Sequence, residues 1–228
     1  MTAAAKKAKS PLGRVTSLGP KLPWQSALLL PRGWDDLRSA ITYFNQPFPD
    51  GEFVLLHGRL EGTPQVRFGG GAPRMNGYIL GADGYRIGFS AFGDSRDLQI
   101  DIEANAENLL LFGQINLFNN QTWLRNIEVV DRRWVGRLRP RYAGKPRVIT
   151  PETVRDRVIS LLREAIPVAS QSIIDEIGRS ADEIVRFASV EGINSVERLI
   201  LHAHLPRTIE QGEAAQRALE LLAAFRGI

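Results

Sequence analysis

Between residues 52 and 135 the chain alternates apolar with polar or small residues in five short runs, and a period of two is the mark of half-buried β-strands. The runs are Glu52–Glu61, Pro73–Leu80, Tyr85–Phe92, Asn108–Ile115 and Thr122–Val129. Phe53, Leu55, Tyr78, Leu80, Ile87 and Phe89 keep the alternation, which assigns most of them to a core. Asp83-Gly84 predicts a tight hairpin turn between the second and third runs, because both residues tolerate positive φ; Asn119-Asn120 predicts another before the fifth. Gly93 to Glu107 leaves room for a short helix between the third and fourth strands.

Five strands with a helix before the fourth predict a five-stranded OB-like β-barrel, and a small α-helical unit follows it. From Thr150 the apolar period becomes helical: Thr150 is an N-cap, Pro151 suits the first helical position, and Val154, Val158, Leu161, Leu162 and Ile166 share one face. Pro167 is expected to end that helix. Ser170, Ser180 and Ser195 each open a further helical stretch as N-caps, and a last helix runs from Thr208 to Arg226 with Glu210 and Glu213 near its positive end. The predicted organisation is a basic N-terminal arm with short helical turns (1–50), the barrel (51–135), a basic linker (136–149) and the α-helical C-terminal unit (150–228).

Charge is uneven along the chain. Residues 1 to 147 carry 20 basic and 13 acidic side chains, and residues 148 to 228 carry 9 and 12. A basic barrel half before a mildly acidic tail points to a polyanion for the first and protein contacts for the second, against the alternative of uneven surface charge without a partner. Lys6, Lys7, Lys9, Arg14, Lys21 and Arg32 fall in an opening stretch without a carboxylate. Pro11, Gly13, Gly19, Pro20 and Pro23 interrupt it, so it is expected to be partly disordered, with at most a short turn over Gln25–Leu30. Residues 132 to 147 hold seven basic groups and no acid, interleaved with Trp134 and Tyr142. Guanidinium forks pair with phosphate and stack on bases, so this run suits a nucleic-acid backbone; the alternative is a solvated linker.

Several chemistries are set aside. The chain has no cysteine, which excludes disulfides, thiolate catalysis and Cys-based zinc sites. No apolar run approaches the roughly 20 residues that cross a bilayer, and the basic N-terminus lacks the apolar core of a signal peptide, so the expected location is the cytoplasm. Asp94, Asp97, Asp101 and Glu103 are a candidate divalent-metal cluster whose plainer reading is a solvated helix face. His202 and His204 stand about 200° apart around a helix and do not share a metal, and His57 in a strand is an ordinary packed or surface imidazole. Gly88 to Gly93 has one residue too many for a Gly-x-Ser-x-Gly elbow. Gly69-Gly70-Gly71 lacks the following Lys-Ser/Thr of a phosphate loop and reads as a mobile connection. Tyr43 to Phe48 is an aromatic cluster that reads as a plug for one end of the barrel.

Five collinear patches resemble the N-terminal wedge region of RecG-family branched-DNA helicases. They are Pro11-Leu-Gly-Arg-Val-Thr-Ser-Leu-Gly-Pro-Lys21, Leu28-Leu-Leu-Pro-Arg-Gly-Trp-Asp-Asp-Leu-Arg38, Asn108-Leu-Leu-Leu-Phe-Gly-Gln-Ile-Asn-Leu-Phe118, Leu138-Arg-Pro-Arg-Tyr142 and the stretch Leu201-His-Ala-His-Leu-Pro-Arg to Arg217. The resemblance implies aromatic side chains near the end of the third strand that stack on bases at a fork. By position these fall on Phe89 and Phe92, flanked by Arg86 and Arg96. The sequence has no Gly-x-x-x-x-Gly-Lys-Ser/Thr loop and no Asp-Glu-x-His box, so it carries no ATP-driven motor. The family's Phe-Asn-Gln at the stacking position is Phe89-Ser-Ala-Phe92 here.

The expected function is a non-catalytic module that binds single-stranded or forked DNA, by aromatic stacking and by Arg and Lys contacts to phosphate. To the four residues that rest on the resemblance the reading adds Trp123 and Arg125 on the fifth strand, and Arg132, Arg133, Arg137, Arg139, Arg141, Lys145 and Arg147 from the basic run. No cofactor or metal is expected. The rival reading is an adaptor whose helical tail docks a separate helicase or nuclease; a nuclease built on Asp94, Asp97 and Asp101 is the third.

Overall fold

The computed structural model describes residues 10–68, 72–119 and 121–225. Lys6, Lys7 and Lys9 of the expected arm, the three-glycine connection, Asn120 of the expected second turn and the Arg226 end of the last helix lie outside the described residues. In chain order the strands and helices are β1 Gly33–Asp36, β2 Ala40–Ile41, β3 Phe53–Arg67, β4 Arg74–Leu80, β5 Arg86–Phe92, α1 Arg96–Ala104, β6 Leu109–Phe118, β7 Gln121–Val129 and β8 Leu138–Arg141. Four helices follow: α2 Pro151–Ile177, α3 Ala181–Ala188, α4 Val196–His204 and α5 Ile209–Phe225. Among the described residues no helix is long and apolar enough to cross a membrane.

Two compact units divide the chain. One is Asp36–Arg137; the other joins Met1–Asp35 to Leu138–Ile228. This division differs from the expected arm, barrel, linker and tail, because the stretch before β1 is not an appendage. Short 3-10 turns at Gly13–Leu18 and Pro23–Leu28 put Leu12, Val15 and Ala27 into the core of the helical unit.

In the first unit five strands close a ring of pairings. β3 pairs antiparallel with β4, β4 with β5, β5 parallel with β7, β7 antiparallel with β6, and β6 antiparallel with β3. β3 can serve two neighbours because it is 15 residues long: Phe53 to Gly58 pairs with β6, and Arg59 to Arg67 with β4. The predicted strand stops six residues early, at Glu61, just before Gly62 and Pro64. In the fold they occupy a register shift between Glu61 and Gln65, where no ladder N–H is required of a proline. The turn after β4 is also longer than the expected two residues. Gly81 to Tyr85 form it, with Gly84 at φ 78° and Asp83 accepting from the Tyr85 amide. Leu56, Met75, Ile79, Ile87, Phe89, Leu111 and Leu124 fill the ring, with Ile102 from α1 and with Phe44 and Phe48 from the aromatic cluster.

The helical unit is organised on α2, whose 27 residues run straight through the expected break at Pro167. Proline removes one helical hydrogen bond and costs about 3 kcal/mol in a helix interior. Ala165 and Ile166 before it and Ala169 and Ser170 after it are all buried, and burial on both sides holds the helix together. Ser170 is therefore a mid-helix residue rather than an N-cap. Gly178, in the left-handed region at φ 66°, ends α2. The other two caps form as the sequence predicts: Ser180 makes a reciprocal capping box with Glu183, and Ser195 Oγ accepts from the Arg198 amide. β1 and β8 form a two-stranded sheet in which the Arg139 guanidinium, almost wholly buried, meets Asp35 at 2.8 Å.

Candidate functional site

On the ring unit, one face of β4, β5 and β7 is built in rows by strand register. The first row is Tyr78, Gly88 and Trp123; the second is Asn76 and Ser90; the third is Arg74 and Phe92. β3 extends the three rows with Glu61, Gln65 and Arg67 in turn. Gly88 makes the first row possible. The Trp123 ring lies over it where a Cβ would stand 2.7 Å from Cε3, and Tyr78 approaches from the other side with ring centroids 5.9 Å apart. The two rings, tilted 48° to each other, line a groove of about 690 Å³. Phe118, 59% exposed, joins Tyr78, Trp123, Asn76 and Gln121 in lining it.

The groove is cationic. Arg67, Arg74 and Arg125 line it, and none of the three has a carboxylate partner among the described residues. Arg74 lies 5.2 Å from the Phe92 ring centroid, a cation–π contact that orients the guanidinium while leaving its N–H edges open. The one carboxylate lining the groove, Glu61, meets Arg86 at 3.3 Å, and Arg86 in turn lies 4.7 Å above the Tyr78 ring. Flat rings at the centre with guanidinium groups beside them suit a flat, anionic ligand.

The expected site residues separate sharply. Trp123, Arg125, Arg86 and Phe92 belong to this face or its rim. Phe89 does not: it is fully buried, with its ring packed across Gly77 inside the core, and it cannot stack on anything outside. Phe89 and Phe92 are three residues apart on one strand and so point to opposite faces. Arg96 is exposed and holds Asp94 at 2.7 Å; hydrogen bonding from that guanidinium brings the Asp94 carboxyl down to about 2. Among the described residues no three His, Cys, Asp or Glu side chains gather where they could hold a metal.

The basic run is not one extended connector. Arg132 and Arg133 lie in a short 3-10 turn, where Arg133 pairs with Asp131 at 3.1 Å; both are exposed, as is Arg137. Arg139 is a buried structural cation on Asp35 and is not available to a phosphate. Arg141 is exposed, 3.4 Å from the same carboxylate. Lys145 and Arg147 are exposed and, with Arg14, line a second cavity of about 600 Å³ in the helical unit. The two interleaved aromatics, Trp134 and Tyr142, are buried and offer no stacking surface.

Sequence reasoning missed Tyr78, Asn76, Arg67 and Arg74. The signal was parity. In β4, Met75, Gly77 and Ile79 point inward, so Arg74, Asn76 and Tyr78 share the outer face, and Tyr78 is not among the alternating residues that reach the core.

No protein-family model matches the sequence, and no curated protein matches it. Among solved structures, RecG bound to a three-way DNA junction superposes on 96% of this chain with a TM-score of 0.61 at 15% identity. The chain folds like part of RecG. It spans 30% of the RecG chain, and the likeness takes in the ring as well as the helices. The RecG resemblance read from five sequence patches is thus met by the fold. A putative nucleic acid-binding lipoprotein from Klebsiella pneumoniae covers 36% of this chain and 72% of its own at 20% identity; its TM-score of 0.30 is too low to argue from.

Proposed function

We propose that the ring is an OB-type barrel and that the chain is a non-catalytic nucleic-acid-binding module of the cytoplasm, resembling a RecG wedge. The strand order supports the barrel: numbering the ring strands one to five, the pairings run one-two-three-five-four and back to one, with a helix between three and four. In OB folds the face of strands two and three, with the loops between one and two and between four and five, holds oligonucleotides. The groove described above occupies that place. The observation that carries the reading is the Tyr78–Trp123 ring pair lining the groove beside three guanidinium groups without carboxylate partners among the described residues.

Stacking on these rings needs bases already out of a duplex, so the preferred ligand is single-stranded or forked DNA. Each stacked base contributes roughly 1–3 kcal/mol, and Arg67, Arg74 and Arg125 hold the backbone, with Lys145 and Arg147 as a further basic patch. The test is fluorescence anisotropy with a fork, a single strand and a duplex of equal length over a salt series. The expected order is fork and single strand above duplex, with Trp123→Ala removing most of the difference. Equal, weak binding to all three would reduce the module to a nonspecific polycation.

A second reading, an adaptor for a separate helicase or nuclease, is favoured by the exposed Phe187 and Leu221 on helices α3 and α5. Deleting residues 150–228 from an affinity-tagged chain does not decide it, because that removes the core packing of Leu12 and Val15; Phe187→Ser with Leu221→Ser does. Loss of a copurifying partner with DNA binding intact supports the adaptor.

A further inference from the structure

We propose that Arg86 serves the groove as a stacking surface and not as a phosphate contact. A nucleobase rests on the outer side of its guanidinium group, whose inner side lies on Tyr78, and Glu61 is the positioning residue that holds it there. The inference rests on the reading of the groove as a nucleic-acid site and goes further by naming a third stacking surface beside the two rings.

Strand order sets the arrangement. β4 lies between β3 and β5, and Glu61 on β3, Tyr78 on β4 and Gly88 on β5 fall in one row. Arg86 stands two residues before Gly88 and so shares its face of the sheet. Its Nη1 donates to Glu61 Oε2 at 3.3 Å, and to reach that carboxylate the side chain spans β4 and passes above Tyr78, with Cζ 4.7 Å from the ring centroid. Trp123 leans on the same ring from the side of β7. The side of the Tyr78 ring beneath Arg86 is therefore taken, and a base arriving there meets the guanidinium first. The Arg86 side chain is 61% exposed, which leaves its outer side to the ligand.

Charge and shape both favour stacking at this position. A guanidinium is planar and weakly hydrated and stacks on flat rings, which a tetrahedral, strongly hydrated ammonium cannot match. Arg74 also lies on a ring, that of Phe92, but has no carboxylate partner among the described residues, whereas the charge of Arg86 is already matched by Glu61. A phosphate would have to compete with Glu61 for Arg86 and finds Arg74 unengaged. The two arginines thus divide the work: Arg74 offers its edges to the backbone, and Arg86 offers its face to a base. Charge counting alone gives Glu61 the opposite role, since a carboxylate lining a groove for a polyanion should only repel it.

The experiment is an anisotropy titration, over a salt series, of a labelled single strand of about 12 nucleotides, within the site sizes of single OB folds. Arg86→Lys keeps the charge and loses the flat face. It is expected to weaken binding roughly twofold to fivefold, the range of one exposed cation–π contact, by the same factor at every salt concentration. Glu61→Gln is expected to weaken binding at high salt, where charge repulsion is screened, and to add nothing in the Arg86→Lys background. Circular dichroism establishes that each variant is folded. Wild-type affinity in Arg86→Lys, with Arg86→Gln lowering the salt slope by about 0.7, would make Arg86 a phosphate contact and overturn the proposal. Tighter binding by Glu61→Gln at high salt would overturn it as well. Binding that ignores Trp123→Ala would overturn the groove reading itself and this inference with it.

Discussion

Trp123 lies flat over Gly88, whose missing side chain is the space the indole occupies. The strands set that relationship, since Gly88 and Trp123 are register partners in the parallel pairing of β5 with β7. Gly88 has no positive φ, so its role is room rather than backbone freedom. Gly88→Ala is therefore expected to lift the indole from its seat. Binding of a single strand should fall about as far as in Trp123→Ala, by roughly 1–3 kcal/mol, with the far-ultraviolet circular dichroism unchanged. Anisotropy titrations of the two variants side by side make the check; full affinity in Gly88→Ala would mean the indole's position is irrelevant to binding.

The guanidinium groups of the groove predict a salt dependence. Arg74 and Arg125 each neutralise one phosphate in the proposed complex, and each such contact contributes about 0.7 to the slope of log affinity against log salt for a single strand. Arg74→Gln is expected to reduce the slope by that amount, and adding Arg125→Gln to reduce it again. Arg96→Gln, on a cation already engaged by Asp94, should change it far less.

His204 carries a pH dependence of folding. Its ring is fully buried: Nε2–H donates to the Ala27 carbonyl at 2.8 Å, and Nδ1 accepts from the Tyr142 hydroxyl at 2.6 Å. Both ring nitrogens are satisfied only in the neutral form, and burial lowers the pKa from 6.5 to about 4. The unfolded chain binds a proton that the folded chain refuses over that interval. Stability is thus complete above pH 6.5 and declines as pH falls toward 4, by about 3 kcal/mol in all. Urea unfolding at pH 7.5, 6 and 5 measures the decline, and His204→Gln should flatten it while lowering stability at pH 7.5. An unchanged slope in the variant would assign the pH dependence to other groups.

Most of the fold was legible in alternation and capping signals, and most of the site was not, for reasons that individual residues make plain. Period two located all five ring strands, and the Ser180 cap located α3, because both signals act over a few residues. Pro167 misled because its local cost is outweighed by burial around it, and burial is a tertiary fact. The basic run from Arg132 misled similarly: composition sees seven cations, whereas β1 must be present before Asp35 can claim Arg139. Tyr78 and Arg74 lay within reach, since the parity that buries Met75 and Ile79 turns them outward. The pairing of Tyr78 with Trp123 was out of reach, because it requires knowing that β5 lies between β4 and β7.

Asp35 and Arg139 give the test that separates a structural cation from a ligand-binding one. The Arg139 side chain is 4% exposed and that of Asp35 11%, so the pair is held largely away from water, with Arg141 at 3.4 Å as a second cation on the same carboxylate. Removing one partner leaves a buried charge without compensation, and Asp35→Ala is expected to cost about 3–5 kcal/mol. Replacing both, as Asp35→Leu with Arg139→Met, removes the stranded charge and should recover most of that loss. If Arg139 instead served a phosphate, Arg139→Met alone would lower the salt slope of DNA binding at unchanged stability. The structure predicts the opposite pair of results: a large drop in the urea midpoint, and a slope equal to that of the unaltered protein.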